Sequence, residues 1–242
     1  MASKDDPRRA ETGEGVRFVS RQLRRQGPGC WDFLDLFSDK PWSLLAVRAP
    51  IQEVTETYAE TRGAVRRAED MVDQDMRVAA EWSHVVQLRG DVWTIVYRDL
   101  RQWFWGDRYR TGVTGMDLST FLSTRTVVAT YDAASYNDDA KYTFEVYEDG
   151  RCVEEIRWLK DGELLFHRCA DGGKGASEAV SREAVSQETV SQEDLHRFFQ
   201  QQGVFLPPAK LDVDGVQVRL ELHGVDRSDV ERVDFLVFEE IE

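Results

Sequence analysis

The chain has 242 residues, is 41% hydrophobic and carries a formal charge of −14. That apolar fraction is enough to bury a core, which excludes global disorder. The acidic balance excludes a general affinity for nucleic acid or anionic lipid, whose phosphates it repels; a basic protein partner fits it better.

Met1 to Ala10 is charged and has no apolar h-region, so no signal peptide is expected, and no apolar run reaches the ~20 residues that span a bilayer. Cys30, Cys152 and Cys169 are an odd set without metal-like spacing, which points to free thiols and a cytoplasmic, reducing location. Cys152 and Cys169 are candidates to face each other across a sheet, although a buried thiol is favoured over a bridge.

Residues 1–27 read as a basic N-terminal arm, with Val16, Val19 and Leu23 forming a short amphipathic helix before Gly27-Pro28-Gly29. A second short helix is expected around Trp31, Phe33, Leu34, Leu36 and Phe37. The main domain, 28–170, then opens with a strand at Trp42–Arg48, whose Leu44-Leu45-Ala46-Val47 centre suits a position buried on both faces. Pro50 suits the first position of a helix running to Thr61, with Ile51, Val54 and Tyr58 on one side. From Arg62 to Trp82 the pattern allows either more helix or a surface insertion. A hairpin over Arg89-Gly90-Asp91 follows, joining His84–Arg89 to Val92–Arg98, with Trp93, Ile95 and Tyr97 on one face.

Between Leu100 and Thr114 the rings of Trp103, Phe104, Trp105 and Tyr109 fit neither a helical nor a strand stripe. An irregular connection is expected there, followed by a short helix capped by Asp117 or Ser119, with Met116, Leu118, Phe121 and Leu122 on its apolar side. Four strands come next: Thr126–Asp132, Lys141–Glu148, Cys152–Lys160 and Glu163–Cys169. Glu148-Asp149-Gly150 and Asp161-Gly162 are hairpin turns, so the set is an antiparallel meander. Tyr142, Phe144 and Val146 make one face apolar, and the face of Thr143, Glu145 and Tyr147 is expected to be wet or partner-bound.

Residues 171–190 carry a Ser/Glu-rich near-pentad repeat that reads as a flexible linker. In 191–242, Ser191 opens a helix bearing Leu195, Phe198 and Phe199 that ends at Gly203. A hairpin at Asp214-Gly215 and a last strand, Val233–Phe238, either return to the main sheet or form a small lobe. The fold class is α+β, mainly antiparallel sheet: a split βαβ-like start extended by a meander, with short flanking helices.

No motif for catalysis, metal or cofactor stands out. His167 and Cys169 share a strand face, but a Cys–His dyad is normally assembled from separate elements, so a structural thiol is favoured. Asp212 and Asp214 lack the other ligand positions of a calcium loop and read as a turn. Glu154 and Glu155 point to opposite faces and do not act as a pair. Interaction character is concentrated in Arg101, Trp103, Phe104, Trp105, Arg108 and Tyr109, where aromatic anchors are rimmed by arginine. The expectation is a non-catalytic acidic module that binds another protein, in the manner of an inhibitor, immunity or adaptor subunit. The alternatives are an enzyme or ligand-sensing domain with a site drawn from distant residues, and a self-associating structural component.

Overall fold

A computed structural model describes residues 42–72, 74–77, 81–99, 110–132, 141–159, 164–169, 192–207, 209–214, 217–222 and 224–239. The expected helices before Trp42 and the repeat at 171–190 lie outside these residues, as does Ser191.

The first strand, β1 (Trp42–Val47), is followed by helix α1 (Ile51–Arg62). Ile51, Val54 and Tyr58 form its buried side. Pro50 sits one place earlier than expected, as the N-cap with extended backbone; it offers no side-chain cap, and Gln87 Oε1 instead accepts the Ile51 N–H at 2.9 Å. The left-handed Gly63 ends the helix, and Ala64 N–H donates back to Ala59 O at 2.8 Å, a Schellman-type closure that glycine adopts without strain.

The ambiguous stretch after Arg62 is neither helix nor insertion. It forms two short strands, β2 (Arg66–Ala68) and β3 (Met76–Arg77), with Val72 and Met76 buried. Their partners come from more than 100 residues away in sequence, so local periodicity carries no trace of them. The hairpin β4 (Glu81–Leu88) and β5 (Thr94–Asp99) turns where expected, with Gly90 at φ 75°.

Helix α2 (Arg110–Phe121) corrects the expected irregular connection from Arg110 onward. Asp117 and Ser119 lie inside it rather than capping it, and Ser119 Oγ donates to Thr124 O at 2.6 Å. Leu118 faces the core, whereas Met116 and Phe121 are exposed, Phe121 by 65%. The sequence RTGVTGMDLSTF has low helix propensity; tertiary contact holds it. A Cβ on Gly115 would stand 2.3 Å from Val128 Cγ2, so the bare glycine lets the helix backbone lie directly on the sheet.

The meander is β6 (Arg125–Asp132), β7 (Lys141–Glu148), β8 (Arg151–Leu159) and β9 (Leu164–Cys169), within a residue or two of the expected bounds. Asp149 and Gly150 both take positive φ, as a two-residue hairpin loop requires. After helix α3 (Gln192–Gln201), closed by Gly203 at φ 76°, come β10 (Ala209–Asp214), β11 (Gln217–Leu222) and β12 (Val230–Glu239).

Among the described residues nine strands form one sheet in the order β2-β12-β4-β5-β1-β6-β7-β8-β9, and β10-β11-β3 form a second. Within the first, β5 is antiparallel to both β1 and β4, and β1 is antiparallel to both β5 and β6. The order β4-β5-β1-β6 is therefore two interleaved split βαβ units, with β12 and β2 added on one side and the meander on the other. The final strand is longer than expected and pairs with β4 in the main sheet, while β10 and β11 belong to the smaller one.

Both faces of the central strands are covered. Leu45, Val85, Val96, Val128 and Leu236 pack beneath α1 and α2. On the opposite face Phe144, Ile156, Trp158 and Phe235 share a core with Phe198 and Phe199 of α3 and with Val218 and Leu220 of the smaller sheet. Tyr147, expected on a wet face, is instead buried in the core that includes Leu118, while Thr143 and Glu145 stay half-buried. Cys152 and Cys169 do not face each other. Cys169 is opposite Glu154, whereas Cys152 is opposite Tyr147 across a register shift and packs on the helix-side core, its thiol donating to Glu154 O at 3.4 Å.

Candidate binding site at one end of the sheet

The split βαβ order brings the start of β1, the end of β5 and the end of β6 to the same end of the sheet, where Asp99 and Tyr131 flank Trp42. Helix α2 leads to Arg125 at the far end, so its own first residues lie at the Trp42 end. Asp99 and Arg110, the described residues on either side of the ring-bearing segment 100–109, thus both lie toward that end.

Under the helices at that end, strand pairing aligns a polar row. Ser83 is opposite Arg98, Arg98 opposite Ser43, Ser43 opposite Thr130, Thr130 opposite Thr143, and Thr143 opposite Arg157. Two-residue alternation puts them all on the helix side, one row beyond Val85, Val96, Leu45 and Val128. Arg98 has no solvent exposure, and its Nη2 lies 2.5 Å from Glu81 Oε1. The same oxygen accepts Arg62 Nη2 at 2.6 Å, and the Arg62 guanidinium lies 5.9 Å from the Phe238 ring centroid. Burial pushes the Glu81 carboxyl up, but Arg98 and Arg62 together outweigh it and hold the carboxyl below its ordinary value. Ser83 Oγ is 3.2 Å from the Tyr58 hydroxyl.

Arg101, Trp103, Phe104, Trp105, Arg108 and Tyr109 lie outside the described residues; their two anchors, Asp99 and Arg110, lie inside. His167 and Cys169 stand on β9, the edge strand, opposite Ile156 and Glu154; their side chains are outside the described set. On β10, Asp212 is opposite Arg219 and Asp214 opposite Gln217, a hairpin register. Among the described residues no group of three or more His, Cys, Asp or Glu is placed to hold a metal ion.

Compared with protein-family models, curated proteins and solved structures, the chain matches none. The site is therefore read from its own geometry.

Other buried charges are paired locally. Asp234 is fully buried and takes two bonds from Arg232, at 2.6 and 2.8 Å. Glu155 pairs with Arg157 at 2.5 Å, while Glu154, on the other face, accepts Gln202 Nε2 at 3.3 Å. The two adjacent glutamates thus serve separate faces, as alternation requires. The Arg98–Glu81–Arg62 cluster went unnoticed in the sequence. Its one local signal is a charge at Arg98 in phase with the inward-facing Thr94 and Val96, on a strand whose opposite face carries Ile95 and Tyr97.

Proposed function

We propose that the chain is a non-catalytic, acidic protein-binding module, acting as an inhibitor, immunity or adaptor-like subunit in the cytoplasm. It recognises a basic partner by charge steering followed by aromatic anchoring through Trp103, Phe104, Trp105 and Tyr109, with Arg101 and Arg108 on the rim. The observation that supports this most is the pair of anchors. The segment starts two residues after a fully buried, ion-paired Arg98 and is followed by a helix seated on the sheet through Gly115. A recognition loop held at both ends by rigid elements has less ordering entropy to lose on binding. The net charge of −14 supplies the steering field. No helix among the described residues is long and apolar enough to cross a membrane.

The test is affinity capture with the full chain and with a Trp103→Ser/Trp105→Ser variant, at ~50 mM and ~500 mM salt, where screening separates charge from apolar contact. A protein retained by the wild type, weakened by salt and lost on the double substitution is the expected result; retention unaffected by the double substitution rules this reading out.

A second reading, a ligand-sensing or catalytic domain, draws on the Ser43–Arg98–Thr130–Thr143 row. It predicts that a small ligand stabilises the chain in a thermal shift that Ser43→Ala weakens and the Trp103/Trp105 substitutions leave in place.

A further inference from the structure

We propose that His84 makes the layer formed by α3 and the β10-β11-β3 sheet releasable by acid, uncovering the aromatic face of the main sheet while the main sheet itself stays folded.

His84 lies mid-strand in β4 and is 2% exposed. Its ring meets Trp82 edge-on at 5.3 Å and Phe235 at 4.9 Å. Its Nδ1 is buried and has no hydrogen-bond partner among the described residues. A phenylalanine or leucine would fill an aromatic pocket without that orphan atom, which costs ~1–3 kcal/mol. What an imidazole adds in such a place is a proton equilibrium near neutrality.

The charged and titratable surroundings are sparse. Across the strand pairs, β12 presents Phe235 and β5 presents Tyr97, whose hydroxyl donates to Pro207 O of the covering layer at 3.0 Å. On β11, Arg219 and Glu221 alternate with the core residues Val218 and Leu220, so they belong to the outer face, where Arg219 pairs with Asp75 at 2.7 Å. Arg77 on β3 is exposed, and α3 carries His196 and Arg197. The side chains of Lys210, Asp212 and Asp214 on β10 are outside the described residues.

The layer is built to part from the sheet. Strands β3, β10 and β11 hydrogen-bond to one another and not into the nine-stranded ladder. Layer and sheet share a common apolar core, and Gln202 reinforces the attachment by donating from Nε2 to Glu154 and accepting at Oε1 from Arg125. Detachment therefore exposes surface without breaking main-sheet pairing.

Burial drives the His84 imidazole from 6.5 down to about 3, and it drives His196 on α3 down to about 4. A depressed histidine favours the closed state fully above pH 6.5; that preference is lost progressively as pH falls toward the closed-state value, because only the open form takes the proton. At pH 5.5, one unit below the free value, His84 alone raises the opening constant ~10-fold.

Hydrogen exchange of the full chain at pH 7.5 and 5.5, corrected for intrinsic rates, tests this. Gln192–Gln201 and Gln217–Leu222 are expected to lose at least tenfold in protection while Trp42–Val47 and Lys141–Glu148 keep theirs. In His84→Phe and His84→Leu the loss should be ~10-fold smaller, with His196 retained as the internal control. Equal loss across all strands, no loss at pH 5.5, or undiminished loss in a folded variant each overturns the proposal. Should both variants fail to fold, the wild-type contrast between layer and sheet decides alone.

Discussion

On the face beneath α1 and α2 the nine-stranded sheet carries polar groups, several of them hydrogen-bonded or ion-paired; on the face beneath α3 and the small sheet it keeps mostly rings and aliphatic chains. The first face holds Arg98, Ser83, Thr94 and Gln87, bonded to Glu81, Tyr58, Ala49 O and the Ile51 N–H in turn. The second holds Phe144 against Trp158 at 4.9 Å and against Phe198 at 4.7 Å, with His84 stranded among such rings. The helix-side face adds directional bonds to its apolar core, whereas the other rests mainly on buried area. Directional bonds specify one arrangement, whereas an apolar layer tolerates separation at a cost set by its area.

The contrast can be broken most severely on the apolar face. Phe144→Ala removes a fully buried ring at the junction of β7, β8 and α3, and the expected loss is ~3–5 kcal/mol in urea unfolding. A loss below ~1 kcal/mol would mean that the face is loosely packed, contrary to its burial.

On the polar face, Glu81→Ala removes the carboxylate that Arg98 and Arg62 share. Loss of one partner from a buried ion pair costs ~3–5 kcal/mol; the Glu81 side chain keeps 18% of its exposure, so ~2–3 kcal/mol is expected after allowing for solvent. Because the Glu81 carboxyl is depressed, its contribution is present above its ordinary value of 4.5 and fades as pH falls through its folded value. Equal stability of wild type and variant at pH 7 would remove the cluster from the fold's support.

Gly115→Ala sharpens the comparison at the helix contact itself. The added methyl meets Val128 Cγ2 at 2.3 Å, and the expected cost is ~1–3 kcal/mol, although alanine is the better helix former. A stabilised variant would show that α2 stands off the sheet. At the small end, Phe121→Ser lies on the solvent side of α2, 65% exposed, and a change within ~0.5 kcal/mol of zero is expected in the same assay. A larger loss would reveal a partner for that ring.

Much of the ladder was readable because its signals are local. Asp149-Gly150 fixed one hairpin, Gly90 another, and the alternation of Tyr142, Phe144 and Val146 assigned one face of β7 correctly. Helix α2 was not readable. Its glycines and threonines argue against a helix, and only contact with Val128 and Tyr147 gives Gly115 its purpose. Strands β2 and β3 were hidden for a related reason, since three and two residues are too few to show a period. The ion-paired Arg98 was not legible either, because Glu81 and Arg62, which meet it, stand on other elements.

Residue order by itself determined the α+β class, the meander, the hairpin turns and the ends of α1 and α3, because glycine conformation and side-chain alternation act over a few residues. Tertiary structure alone decided how β1, β2, β3 and β12 join the hairpins, that both sheet faces are covered, and that Glu81 meets two arginines from separate elements. Those outcomes depend on contacts between distant parts of the chain, whose energies no short window of sequence contains.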